Sequence, residues 1–259
     1  RKYPEKILLG SLAGSGTLGL LIPPSIILII YGVTVQESIA KLFIAGIIPG
    51  IMIALIFMGY VIVWSLLNKN KMPTNYENFS FLNKLGKSKQ LIPVILLILG
   101  VIGSIYTGIA TATEAASLGV VGALILSYFQ KSLTLKTFKD SLLGATKTSC
   151  MIAFILAGAT FLSLAMGFTG LPRNLALWIQ NMELSPYVLI FVLMIFYIIL
   201  GMFLDGISAV VLTMAIIEPM IRQAGFDMIW FGIFLVIVVE MAQITPHVVF
   251  NLFVLQGLS

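Results

Sequence analysis

Two apolar runs of this 259-residue sequence are broken near their middles by prolines set among glycine, serine and threonine. The first reads Thr17-Leu18-Gly19-Leu20-Leu21-Ile22-Pro23-Pro24-Ser25, with Gly14 and Gly16 just before it. The second reads Gln243-Ile244-Thr245-Pro246, with Asn251 after it. Proline inside a helix removes a backbone donor and clashes with the preceding turn, at a cost of about 3 kcal/mol or more, so both motifs predict a helix that unwinds. Unwinding bares carbonyl oxygens and helix ends. Together with the hydroxyls of Thr17, Ser25 and Thr245 and the Asn251 amide, these are ligands for an ion or a polar substrate. The prolines alone fit a packed kink equally well. Each of the four polar side chains also fits ordinary helix-to-helix hydrogen bonding. A third candidate is Asp205, in Gly201-Met202-Phe203-Leu204-Asp205-Gly206, a carboxylate within an apolar stretch that suits either an ion or a helix cap.

Other chemistries find little footing. His247 is the single histidine and Cys150 the single cysteine, so neither a Ser–His pair nor a cysteine metal site or disulfide framework is encoded. His247 suits a proton-sensitive gate, an ion ligand, or a neutral group bonding backbone freed by the break. Gly14-Ser15-Gly16-Thr17-Leu18-Gly19 fits a dinucleotide-binding pattern, but no strand precedes it. No phosphate-binding loop or zinc-protease helix motif occurs.

The elements that must carry these residues are membrane helices. Apolar residues make up 59% of the chain, charged residues 10%, and the mean hydropathy is +1.10. Soluble domains carry about 25% charged residues, so a soluble enzyme, a nucleic-acid binder and a disordered chain are excluded. A crossing needs about 20 apolar residues, which gives runs at Ile7–Val33, Ile39–Leu67, Leu91–Tyr106, Ala115–Phe129, Lys147–Phe168, Tyr187–Ile221 and Ile229–Leu258. Gln130–Ala145 predicts an amphipathic helix at the interface, and Leu171–Leu184 has similar character with Trp178 as an anchor. Twelve of the fifteen basic residues lie before the first run, in Leu67–Gln90, or around Gln130–Ala145, placing those three regions on the cytoplasmic side. Lacking an initiator Met, the sequence looks like the later part of a longer permease.

Sliding the chain on itself by 223 residues puts Pro246 on Pro23 and Phe226 on Tyr3. Paired interrupted helices in corresponding positions mark the binding site of a secondary transporter. Tyr187–Ile221 is over-long for one span and has Asp205 at its centre, so it is expected to form a hairpin of two half-helices meeting at Gly201–Ser208. The second broken helix then runs opposite to the first, and the repeat is inverted.

At these residues, and at Tyr106-Thr107-Gly108, Thr113-Glu114-Ala115-Ala116 and Asn251-Leu252-Phe253-Val254, the chain resembles the large membrane subunit of tripartite ATP-independent periplasmic (TRAP) transporters, in order along its whole length. Gly225–Gly232 and Glu240–Gln243 look most like the sialic-acid-type members. The resemblance implies an all-α polytopic protein of the bacterial inner membrane, an inverted-repeat elevator with discontinuous helices and a re-entrant hairpin. It also implies sodium as the coupling ion, an organic anion as substrate, and two partners: a small four-helix membrane subunit and a periplasmic substrate-binding protein. Carried onto this chain, one sodium site uses Thr17, Gly19, Pro23 and Ser25. The other joins Gly201, Asp205 and Ser208 to Thr245 and Pro246, and substrate lies near Pro24, Gly206, His247 and Asn251. The family's first hairpin should precede Arg1, leaving the first site incomplete here. Where the family reads Thr-Pro-Pro-Val-Gly, this chain reads Thr245-Pro246-His247-Val248-Val249; the missing proline and glycine let the helix rewind in part and put the second ion site in question.

Residues 1–33 and 186–259 are thus expected to form the transport domain, with 34–185 as scaffold and linkers. Glu218 and Arg222 fit a structural ion pair, Glu114 a helix start, and Arg173 either plain topology or a contact to a substrate carboxylate. Gly46–Gly50 signals close packing, although Pro49 between them makes that signal ambiguous. An intramembrane hydrolase would need a second acid or a Ser–His pair at Asp205 or a serine, and a passive channel would need no hairpin repeat.

Overall fold

A computed structural model describes residues 4–71, 91–181 and 185–244. Thr245, Pro246, His247 and Asn251 lie outside the described residues, as do most of the Leu67–Gln90 loop and the second half of the last run. Within the described residues every regular element is helical: α1 (Glu5–Leu21), α2 (Ile26–Thr34), α3 (Ile39–Leu67), α4 (Ile92–Tyr106), α5 (Ala112–Phe129), α6 (Leu135–Thr169), α7 (Leu171–Asn181), α8 (Pro186–Gly201), α9 (Gly206–Gln223) and α10 (Met228–Ile244), with one short 3-10 turn at Lys69–Lys71. Among the described residues five stretches are long and apolar enough to cross a membrane, and α4, α8 and the described part of α10 are shorter apolar helices.

The sequence marks the start of many of these helices with a side-chain oxygen that accepts an amide left open by the first turn. Ser25, Ser38, Ser185 and Asp205 cap α2, α3, α8 and α9, and Asp227 accepts from the Trp230 amide at 2.9 Å to open α10. At α5, Thr111 and Glu114 cap reciprocally: the Thr111 amide donates to Glu114 Oε2 at 2.8 Å and the Glu114 amide to Thr111 Oγ1 at 3.3 Å. This box starts α5 three residues before the apolar run and gives Glu114 the helix-opening role expected of it. The amphipathic segment and the following span differ from expectation, because they form one continuous 35-residue helix, α6. No proline separates them, and the lone Gly144 costs about 1 kcal/mol relative to alanine, too little to stop a helix.

The chain divides into two compact units, one of Pro73–Ala153 and one of Arg1–Met72 with Phe154–Ser259. In the first, α4 and α5 form an antiparallel pair in which Gly119 faces Val101 and Gly122 faces Leu97; Gly108, at φ +72°, makes the turn between them. In the second, α10 is the central helix, packed on α1, α2, α3, α8 and α9. Its buried side chains include Phe231, Leu235, Val236 and Val239. Tyr31 of α2 lies across Gly232, where even a methyl group would collide with the ring, and its hydroxyl donates to the Met228 carbonyl at 2.6 Å. Removing that hydroxyl takes away one buried bond, while the Met228 carbonyl keeps the amide its own helix supplies. Tyr31→Phe is therefore expected to cost about 0.5–1.5 kcal/mol, seen as a lower thermal unfolding midpoint of the purified protein; an unchanged midpoint would show that the bond contributes nothing.

Candidate functional site

The first proline break separates α1 from α2 at residues 22–25. The Ile22 amide still reaches Leu18 O at 2.9 Å, but Pro23 and Pro24 have no N–H to return to the carbonyls of Gly19 and Leu20. Ser25 stitches the two halves together, donating its hydroxyl to Leu20 O and accepting the Leu28 amide at 3.2 Å. The Gly19 carbonyl is left without its helical donor, on an exposed residue. Thr17 is buried and gives its hydroxyl to Gly14 O at 2.9 Å. Thr17 and Ser25 thus hold the backbone of the break, with the oxygen of each hydroxyl still bearing lone pairs. Helix α3 is pressed against the same point: methyl groups on Gly46 and Gly50 would lie 3.0 Å from Leu21 O and 2.7 Å from Ile22 Cγ1. The Gly46–Gly50 spacing is a close-packing device, and α3 runs unbroken through Pro49.

Helices α8 and α9 form a hairpin whose turn is Met202–Asp205. Tyr197 and Thr213, each eight residues from Asp205, meet across it at 2.6 Å. Thr213 donates to Ala209 O, so the phenol donates to Thr213. Asp205 is exposed at the tip, and its Oδ2 accepts the amides of Ile207 and Ser208, both at 3.1 Å. The tip is flanked by Gly201 and Gly206, both buried. A methyl on Gly206 would lie 2.7 Å from Ile27 Cδ1, 2.8 Å from Gln243 Nε2 and 2.9 Å from Val239 Cγ1, and one on Gly201 would lie 2.6 Å from Ala242 Cβ. The hairpin tip therefore wedges between the start of α2 and the last turns of α10. At the other end of α9, Arg222 donates to Glu218 Oε1 at 2.9 Å and to Val35 O at 3.3 Å and pairs with Glu37 at 3.7 Å, so the anticipated ion pair also ties the hairpin arm to the α2–α3 turn.

Helices α1 and α10 begin 223 positions apart, at Glu5 and Met228, and α10 is helical to the last described residue, Ile244. They run antiparallel. Leu21 O and Ile233 Cδ1 both border Gly46, whereas Ile244 lines a groove with Ile7, Gly10, Ser11 and Gly14. The offset seen in the sequence is thus an inverted pair in space. A family profile described as "Tripartite ATP-independent periplasmic transporter, DctM component" matches residues 1–259. The chain belongs to this family. Relatives include the C4-dicarboxylate TRAP transporter large permease protein DctM of Pseudomonas aeruginosa, 31% identical over 258 residues (99% of this chain, 60% of that protein). The 2,3-diketo-L-gulonate TRAP transporter large permease protein YiaN of Escherichia coli is 32% identical over 265 residues (99% and 60%). The isethionate TRAP transporter permease protein DctMQ of Oleidesulfovibrio alaskensis is 31% identical over 263 residues (100% and 41%). The chain spans about three fifths of the first two relatives. Family and helix lengths together make it a multi-pass inner-membrane protein.

Within this family member, the structure brings Gly201 and Gly206 of the tip up to the last described turns of α10, leaves Asp205 between them exposed, and places Ile27, two residues beyond Ser25, against the same tip. Ser208 is half-buried in the first turn of α9, and Pro24 is exposed beside buried Pro23. Arg173 is not part of this cluster. It lines a separate cavity with Gly170, Pro172, Pro219 and Gln223, and Pro219 lies 13 residues along α9 from Gly206, roughly 20 Å at 1.5 Å per residue. The candidate ligands at the break and the tip are oxygens, namely the Gly19 carbonyl, the Thr17, Ser25 and Ser208 hydroxyls and the Asp205 carboxylate, with the Gln243 amide nitrogen also against the tip. That set suits a hard cation such as sodium, by analogy with the oxygen preference of calcium and magnesium. One further intramembrane acid lies beside this cluster. Glu240 is 3% exposed and comes one residue after Val239, which touches the tip glycine. Its signal was present in the sequence, as an acid in the middle of an apolar helix.

Proposed function

We propose that this chain is the permease part of a sodium-coupled secondary transporter that takes up an organic anion delivered by a periplasmic binding protein. A small four-helix membrane subunit completes the complex, and the mechanism is an elevator. The observation that carries this reading is the antiparallel α1/α10 pair together with a hairpin tip seated between α10 and α2, the helix beyond the first break, which is the arrangement expected around a midplane ion and substrate site. In this reading, residues 1–33 and 186–259 move as the transport domain. The unpaired Gly19 carbonyl with Thr17, Pro23 and Ser25 would hold one sodium ion, and Gly201, Asp205 and Ser208 with Thr245 and Pro246 a second. The bound cations supply positive charge beside the substrate anion and draw on the sodium gradient. Ser25 fixes the shape of the break, Tyr197 and Thr213 keep the hairpin arms together, and Arg222 holds the far arm to α2. Pro24, Gly206, His247 and Asn251 would contact the substrate, and Arg173, which lines a separate cavity, fits plain topology better than a contact to the substrate carboxylate.

The relatives' names cover C4-dicarboxylate, 2,3-diketo-L-gulonate and isethionate. Sialic acid is the finer proposal, resting on Gly225–Gly232 and Glu240–Gln243. The complete permease with its partners, reconstituted in liposomes, is expected to accumulate substrate only with an inward sodium gradient. Each net positive charge carried inward across 100 mV contributes about 2.3 kcal/mol, or roughly 50-fold accumulation. Equal uptake with and without the gradient would reject the coupled mechanism in favour of a passive channel. Loading with sialic acid against C4-dicarboxylates decides the substrate.

A further inference from the structure

Among the described residues three polar or charged side chains are fully buried, namely Thr17, Ser25 and Glu240. Two of them are satisfied by the backbone of the break. Glu240 is not: its Oε1 is out of contact with solvent and has no hydrogen-bond partner. Burying an ionised carboxylate without a partner is strongly unfavourable, in a protein interior as in a membrane helix, so its charge calls for a partner.

Among the described residues, the packed elements offer none. Glu240 follows Ile233 by seven residues, two helical turns, and therefore shares the face that Ile233 turns to Gly46 and Leu21 O. Because α1 runs antiparallel to α10, that position falls near Gly14, and a helical side chain leaning toward its own N-terminus leans toward the level of Thr17. On α1 the only charged residues are at positions 5 and 6, more than two turns from Gly14. On α2, Tyr31 is committed to Met228 O, twelve residues before Glu240. On α3, Lys41 lies in the first turn, at the start of α10 rather than beside Glu240, and Tyr60 is exposed. On α8, Tyr187 is exposed and Tyr197 is bonded to Thr213. On α9, Glu218 and Arg222 are engaged with each other at the far end.

We propose that Glu240 is a cation-exchange carboxylate of the moving unit, its charge met at one stage of the cycle by a small cation from solution, a proton or a sodium ion, and not by any side chain among the described residues. This inference rests on the transporter reading. It adds a third charged position beside the break and the hairpin tip, on the face of α10 that looks toward α1.

The test uses the complete permease with its small subunit. Thermal unfolding midpoints are measured across sodium chloride concentrations, with choline as replacement, at an acidic and an alkaline pH, for the parent and for Glu240→Gln. One dependence of the parent should weaken about tenfold or more in apparent affinity in the variant. Loss of the sodium dependence assigns sodium, and loss of the pH dependence assigns the proton. Identical dependences in parent and variant overturn the proposal. Should the glutamine variant fail to assemble, Glu240→Asp replaces it, with a shifted sodium or pH midpoint expected and an unshifted pair overturning the idea. These readouts need no transport, so a failure here is distinguishable from a failure of sodium-driven uptake in liposomes.

Discussion

Replacing Gly201 by alanine is expected to lower the unfolding midpoint by several degrees and to cut uptake more than tenfold. The added methyl would lie 2.6 Å from Ala242 Cβ, whereas non-bonded carbons rest at about 3.5–4.0 Å. The obstructing atom is a Cβ, fixed to the backbone of α10, and no rotamer change can move it. Helices α8 and α10 would have to separate by about an ångström, at the height where the tip meets the last turns before Thr245. Overpacking of this kind costs about 1–3 kcal/mol. It also pulls the tip off its seat, so transport should suffer more than stability. Three companion variants make the result diagnostic. Gly206→Ala is expected to be milder, because two of its three neighbours are the movable ends of Ile27 and Gln243. Gly158→Ala, where a methyl meets nothing within 4 Å, should leave uptake intact and stabilise α6 slightly through helix propensity. The double change Gly201→Ala with Ala242→Gly returns the missing space and should recover most of the uptake. A Gly201→Ala protein as stable and active as its parent would show that the tip does not need this contact.

Much of this arrangement could be read from residue types. The prolines at 23 and 24 located the first break because their chemistry forbids the donors a helix requires, and the 223-residue offset marked α10 as the counterpart of α1, which lies antiparallel to it; the second proline motif, at Thr245 and Pro246, lies outside the described residues. The hairpin was legible from an excess of length plus one carboxylate that no single span would hold. Less legible was whatever depends on what a side chain touches. Nothing in the sequence says that Gly46 and Gly50 receive the break, that Arg222 reaches Glu37 and Val35 as well as Glu218, or that Gly206 faces Ile27 from nearly 180 residues away, since these are facts of packing between distant segments. The fused helix α6 shows the opposite failure, where a change from polar to apolar residues suggested two helices although no backbone signal divided them. Asp205 falls between. Its position at the tip was predicted, yet its carboxylate spends Oδ2 on the first turn of α9, a bond that both the capping and the ion-binding readings allow.

Those two readings of Asp205 separate cleanly in a series of variants. Asparagine caps helices about as well as aspartate, while alanine gives up about 0.5–2 kcal/mol. If capping were the whole role, Asp205→Asn would transport normally and only Asp205→Ala would be impaired, in step with its stability. The expected outcome is different: both variants lose sodium-dependent uptake, by roughly a hundredfold, about 2.8 kcal/mol, while Asp205→Asn keeps the unfolding midpoint of the parent. The reason is electrostatic. Asp205 stands at the start of α9, where the helix dipole adds positive potential. A cation placed there needs a full negative charge to offset that field, and the neutral asparagine amide offers only a dipole. Removing one member of a close charge pair typically costs 2–5 kcal/mol, which is the size of loss expected. Loss of uptake in Asp205→Asn at unchanged stability, together with a sodium titration displaced to higher concentration, would place the carboxylate at the ion. Normal sodium dependence in that variant would reduce Asp205 to a cap and move the second ion site onto the backbone carbonyls alone.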